Sequence, residues 1–135
     1  MKKYNYDEIL PEKKISEETR LDFCLMKKGL IIGFVEVKNV TLVRNNKIAE
    51  FPDAITSRGT RHLEELIRAK KKGFESYILY LIQREDCESF KIAEDIDQEY
   101  KIIFNEALKN GVKMLCYDCK LSNEEIRLNN QINYE

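Results

Sequence analysis

TRLDFCLMKKGLIIGFVEVKNVTLVRNNKIAEFPD, residues 19–53, is the stretch on which the reading of this chain turns. After Phe34, the run Val35-Glu36-Val37-Lys38-Asn39-Val40 alternates apolar and polar residues, the period of a half-buried strand. Val35 and Val37 then share one face, and Glu36 and Lys38 the other. Glu-x-Lys also occurs at Glu12/Lys14 and Glu99/Lys101. The latter lies in a helical pattern, where residues two apart diverge, and the former in a charged, strand-poor segment. Only Glu36 and Lys38 share a strand face.

Upstream, Arg20-Leu21-Asp22-Phe23-Cys24-Leu25-Met26 alternates as well, with Leu21, Phe23 and Leu25 on one side and Asp22 on the other. Lys27-Lys28-Gly29 reads as the turn of a hairpin joining the two strands. Pairing them brings Asp22 and Glu36 onto a common surface. Two carboxylates held together favour a divalent cation, because each raises the cost of ionising the other until a metal compensates. A neighbouring lysine suits stabilisation of an attacking hydroxide or a pentavalent phosphate.

Asp followed by a strand bearing Glu-x-Lys resembles the PD-(D/E)XK nuclease core. More closely, RLDF, VEVKNVTL, FPDA-x-T-x-RG-x-x-HL-x-EL, QRED, ID-x-EY and GV-x-x-L-x-Y resemble the sugar fermentation stimulation protein A family, in that family's order, over roughly residues 12–128. The resemblance implies an α/β fold in which a mixed central sheet is flanked by helices, a restriction-endonuclease-like core associated with DNA binding. It implies Asp22 and Glu36 as ligands of Mg2+ or Mn2+, helped by the main-chain carbonyl of Val37, and Lys38 beside the nucleophilic water. Glu12 matches, with a one-residue shift in spacing, an acidic position ahead of RLDF, and is either a third carboxylate of the metal site or a solvated glutamate. The family's pattern also includes an N-terminal β-barrel domain of the OB type, a fold that supplies grooves for single-stranded nucleic acid. These 135 residues contain no counterpart to it.

Composition sets bounds. The chain has the length of one domain with a single core, and its 43% hydrophobic and 35% charged residues read as globular. Its apolar runs are too short to span a bilayer, and MKKYNYDEIL lacks the apolar block of a signal peptide, so a cytoplasmic location without membrane contact is expected. A net charge of −1 argues against a uniformly basic nucleic-acid binder, since phosphate neutralisation needs local Lys and Arg. Lys13-Lys14, Lys27-Lys28, Arg58/Arg61 and Arg68/Lys70-Lys71-Lys72 are local clusters that serve either as a basic surface or as solvating residues. Cys24, Cys87, Cys116 and Cys119 read as reduced, mostly buried thiols: Cys116-x-x-Cys119 has no second pair at zinc spacing and sits in a strand-like run.

In chain order, residues 1–18 form a charged N-terminal segment, with a short helical turn around Tyr6 to Leu10, leading into a nuclease-like domain over 19–135. Past the Glu36 strand, Val40 to Val43 continues extended, Arg44 to Lys47 turns, and Ile48 to Phe51 completes a three-stranded meander. Asp53 either aims at the site or caps its loop. Thr41 falls on the opposite strand face and takes no role. Ser57 or Thr60 begins a helix with Leu63, Leu66, Ile67 and Lys70 on its period and Gly73 at its stop. Arg58 and Arg61 lie in the first turn, where free N–H groups and the dipole attract backbone phosphate. His62 reads as a surface or packing residue.

Ser76 to Gln83, SYILYLIQ, reads as a central strand covered on both faces. Gln83 and Arg84 at its end either contact nucleic acid or form a plain strand exit. Asp97 caps a second helix with Tyr100, Ile103, Phe104, Ala107 and Leu108 inward, ending at Asn110-Gly111. Val112 to Tyr117 is another strand and Ile126 to Leu128 an edge strand. The sequence therefore points to a nucleic-acid-binding protein, DNA before RNA, that hydrolyses phosphodiesters with magnesium, with a homodimer as a candidate assembly. The alternatives are a non-catalytic DNA-binding regulator of sugar metabolism genes and an interaction module with a vestigial acidic pocket.

Overall fold

The computed structural model describes residues 6–14, 20–121 and 126–134. A six-stranded sheet forms the frame, built from β1 (Glu8–Lys14), β2 (Arg20–Lys27), β3 (Leu30–Val40), β6 (Glu75–Ile82), β8 (Lys113–Leu121) and β9 (Ile126–Gln131) in the order β1-β2-β3-β6-β8-β9. β3–β6 and β6–β8 pair in parallel, while the outer pairs are antiparallel, so the sheet is mixed as expected. The β2–β3 hairpin turns at Lys28 and Gly29, both at positive φ (51° and 76°). Two such residues in succession match the right-handed twist of the flanking strands.

β3 and β6 lie side by side at the centre, β6 apolar on both faces and β3 apolar through Phe34 before its alternation begins. Gly33 permits their approach: a Cβ there would sit 2.8 Å from both the Cβ and the carbonyl oxygen of Glu75. The register sets Glu36 beside Ile78 and Lys38 beside Tyr80.

Helix α1 (Ser57–Lys71) and helix α2 (Gln98–Lys109) both pack on one face of this sheet. Leu63, Leu66 and Ala69 of α1 and Tyr100, Phe104 and Ala107 of α2 meet Phe34, Val40, Ile78, Tyr80 and Ile82 there. The Tyr80 and Tyr100 hydroxyls, both fully buried, satisfy each other at 2.5 Å. Asp97 ties the two helix starts together. One of its oxygens accepts from the Tyr100 N–H and caps α2, and the other accepts from the N–H of Thr56, whose own hydroxyl caps α1 at Gly59.

Several sequence expectations change. Glu8–Lys14 is a strand, not a helical turn around Tyr6 to Leu10, because its backbone pairs with β2. The expected meander is broken. β3 already gives its second edge to β6, so β4 (Leu42–Asn45) and β5 (Ile48–Phe51) form a separate sheet with two strands not anticipated, β7 (Ser89–Ile92) and β10 (Asn133–Tyr134), in the order β10-β7-β5-β4. The turn narrows to Asn46 and Lys47, and Arg44, now within β4, grips the buried Glu50 through Nε and Nη2 at 2.9 and 2.6 Å. Arg44 also holds Asp95 at 2.7 and 2.8 Å, which locks the small sheet to the loop ahead of α2. The last main-sheet strands run further than expected, to Leu121 and Gln131.

Leu21 joins the helix-side core with Cys24 instead of sharing a face with Phe23 and Leu25. Leu108 is exposed, and the inward face of α1 is shifted onto His62, Glu65, Leu66 and Ala69. SYILYLIQ is buried on both faces but has helices on only one. Among the described residues its other face, with Tyr77 and Leu79, packs against Leu25, Val35 and Leu115 of the same sheet. All four cysteines are free and buried, and burial pushes the Cys116 thiol up to about 12.

Candidate metal and phosphate site

The β2–β3 register runs from Lys27 opposite Leu30 to Phe23 opposite Val35. Past Phe23, side chains replace the ladder. The N–H of Val37 donates to Asp22 Oδ2 at 2.8 Å, and the N–H of Asp22 donates to Glu36 Oε1 at 3.1 Å. The two carboxylates therefore fill the notch where β2 leaves β3, each held by the other strand's backbone. Lys38 Nζ lies 3.0 Å from Glu36 Oε2. Alternation had placed Glu36 and Lys38 on one face, and they meet there.

The third group on Glu36 comes from α1. His62 Nδ1 lies 2.5 Å from Glu36 Oε2 and 2.9 Å from Lys38 Nζ. It is 4% exposed and part of the site, not a surface or core-packing residue. The sequence carries a signal for its burial, though not for its partner: positions 62, 65, 66 and 69 follow the helical spacing of an inward stripe.

Burial acts on both acids with opposite outcomes. It raises the Asp22 carboxyl, opposed by the Val37 N–H and reinforced by the nearby charge of Glu36. Glu36 is almost fully buried, which pushes its carboxyl up, yet His62 and Lys38 together outweigh that and hold it below the usual range. The site thus sets a carboxylate whose ionised form Lys38 and His62 favour beside a second whose ionisation burial opposes.

The other expected residues sit around this notch at different removes. Glu12 falls opposite Asp22 in the β1–β2 register, between Pro11 opposite Phe23 and Lys13 opposite Leu21, while its side chain lies outside what the structure describes. Arg58 and Arg61 are exposed on the first turns of α1, the helix that carries His62. Gln83 donates to Asn39 Oδ1 at 3.0 Å, and by alternation that pair continues the face of Val35 and Val37. Arg84 is paired with Asp86 at 2.6 Å in the exposed loop. Neither touches the carboxylates. Asp53 is exposed. Among the described residues no three His, Cys, Asp or Glu side chains converge as a ready ligand set. The site offers two carboxylates, and further oxygens must come from main chain or solvent. No helix of the described chain is long and apolar enough to cross a membrane.

A mixed sheet with helices packed on one face, and a divergent strand pair presenting Asp, Glu and Lys, define a nuclease-like α/β domain. Residues 1–125 match the family described as the sugar fermentation stimulation protein RE domain, and the chain belongs to that family, SfsA. It is 51% identical over 128 residues to a sugar fermentation stimulation protein homolog of Pelagibacter ubique (strain HTCC1062), covering 95% of this chain and 55% of that one. Against the homolog of Bartonella quintana (strain Toulouse) it is 46% identical over 121 residues, covering 90% and 52%. The chain thus spans about half the length of these relatives. Among solved structures, that of Pyrococcus furiosus SfsA in complex with Ca2+ superposes with a TM-score of 0.82 at 28% identity, over 93% of this chain and 54% of that one.

Proposed function

We propose that this chain binds nucleic acid, DNA before RNA, and hydrolyses phosphodiester bonds with Mg2+ or Mn2+. The observation that carries this reading is the convergence of Asp22, Glu36 and Lys38 where β2 parts from β3. The donor set suits such an ion, because carboxylate and carbonyl oxygens are the hard ligands it prefers. Asp22 and Glu36 would hold it with the carbonyl of Val37. In an extended strand the N–H and C=O of one residue point to the same side, and the Val37 N–H already points at Asp22. The Ca2+ complex of the Pyrococcus relative supports a divalent-cation site in the family. Once bound, such an ion supplies Lewis-acid polarisation of phosphate and a more acidic water.

The remaining work falls to the chain. Lys38, 14% exposed, is the cationic group of the notch that solvent reaches; it positions the attacking water and offsets charge on the phosphorane. Arg58 and Arg61 at the start of α1 hold backbone phosphate, with Gln83 and Arg84 as outlying contacts.

The test pairs calorimetric titration of Mg2+ and Mn2+ with a gel assay on single- and double-stranded DNA. Asp22→Asn should lose cation uptake. Lys38→Ala should keep its fold and most cation uptake, and lose cutting on the order of 100-fold or more. Equal degradation with and without Lys38 would falsify the role given to it. Salt-dependent, chelator-indifferent retention without cutting identifies a non-catalytic DNA binder instead, and neither uptake nor retention identifies an interaction module.

A further inference from the structure

We infer that His62 is a positioning residue that fixes the Glu36 carboxylate through an Nδ1–H bond, and that this bond sets the site's affinity for a divalent cation. The inference rests on the cation-site reading above and adds a residue to it.

The hydrogen placement follows from the distances. His62 Nδ1 and Glu36 Oε2 are 2.5 Å apart, and two lone-pair atoms tolerate that separation only with a hydrogen between them. A carboxylate oxygen accepts and an imidazole N–H donates, so the hydrogen is placed on the ring. Lys38 Nζ, 2.9 Å from the same Nδ1, brings hydrogens of its own but has an acceptor in Glu36 Oε2 at 3.0 Å and does not need the ring. Nδ1 is therefore the donor, and Glu36 is gripped at both oxygens: Oε1 by the Asp22 N–H and Oε2 by His62 and Lys38.

These grips differ in permanence. The Asp22 N–H is backbone, and Lys38 is a flexible stem whose ammonium would be repelled by an arriving cation. His62 is carried by a helix, buried at 4% exposure, and fixed in turn through α1's start by the Thr56 cap and its bond to Asp97. It is the side chain able to hold Glu36 in one orientation as Lys38 moves aside. Outer groups that orient a ligand in this way typically contribute 10- to 100-fold in metal affinity. The role is distinct from general acid–base chemistry, because the ring bonds to Glu36 and not to a reacting atom.

The discriminating variants are His62→Ala, His62→Asn and His62→Gln. Asparagine places an N–H near the position of Nδ1, whereas glutamine reaches toward Nε2. Mn2+ titration by calorimetry, with thermal unfolding to confirm each fold, should show about a 10- to 100-fold loss in Ala. Asn should recover most of it and Gln little. In the gel assay Ala should lower kcat with the KM for DNA unchanged. Folded Ala with wild-type Mn2+ affinity overturns the inference, as does Asn no better than Ala. Nitrogen-15 shifts of the ring give a reading independent of any ion: hydrogen on Nδ1 is expected, and hydrogen on Nε2 alone overturns the inference whatever the protein cuts. A wild type that takes up Mn2+ in a His62-dependent way but leaves DNA intact removes hydrolysis and supports the role of His62.

Discussion

Asp22 and Glu36 are neighbours of the same chemical type whose carboxyls are shifted in opposite directions. Asp22's folded-state carboxyl is raised, chiefly by burial, so the folded protein holds that proton more tightly than the unfolded chain does. Its contribution to stability is present at low pH and is lost as pH rises through the folded value. Glu36 is lowered, so its contribution is present above the ordinary carboxylate range and lost as pH falls through the folded value. At neutral pH, without added cation, ionised Asp22 is therefore a net cost. Asp22→Asn keeps an oxygen for the Val37 N–H and removes the charge. It should melt higher than wild type at pH 7 in chelator, with the gain shrinking as pH falls. Added Mn2+ should raise the melting temperature of wild type and not of the variant. A variant that melts lower in chelator would show that the charge of Asp22 is already compensated. Two of the site's partners, Glu36 and Lys38, were legible because strand period alone puts them together. His62 was not, because its distance to Glu36 depends on where a helix more than twenty residues downstream docks.

At the scale of elements, the close pair β3–β6 carries the site. Its register puts Lys38 beside Tyr80, under the helices, and at Gly33 the first residue of β6, Glu75, leaves no room for a side chain. A methyl added there meets main chain and Cβ of Glu75 at 2.8 Å, neither of which can swing away as the far end of a side chain can. Gly33→Ala should therefore cost about 1–3 kcal/mol, measured as a lower urea midpoint with an unchanged slope. An unchanged midpoint would mean that the pair relaxes freely. The elements read correctly from sequence were those with long periods or strong punctuation: the Lys28-Gly29 hairpin, α1 with Gly73 beyond it, and α2 behind the Asp97 cap. β10 escaped because two residues carry no periodicity, and β7 because, unlike β4 and β5, it has no hairpin partner beside it in the sequence. β4 and β5 were read as strands but assigned to the wrong sheet. Nothing local in them records that β6 occupies the edge of β3 they would otherwise have used.

For the whole molecule, a net charge of −1 leaves little long-range attraction for a polyanion, so the DNA binding we propose would rest on local cations. Arg58 and Arg61 are exposed at the positive end of α1, on the helix that reaches the carboxylate notch. Replacing either with alanine should weaken DNA retention across sequences and reduce the slope of log affinity against log salt by about 1 each. Binding measured from 50 to 200 mM salt checks this, and an unchanged slope would place the phosphate contacts elsewhere.

The amino-acid order by itself determined the alternating strands, the Asp97 cap and the Asp, Glu-x-Lys pattern, because each is a local matter of side-chain period and backbone bonding within a few residues. The tertiary structure alone decided which strands share a sheet, that both helices lie on one face, and that an imidazole from α1 completes the Glu36 cluster. Those outcomes arise from competition among distant segments for the same strand edge and the same buried surface, a contest that no single segment records.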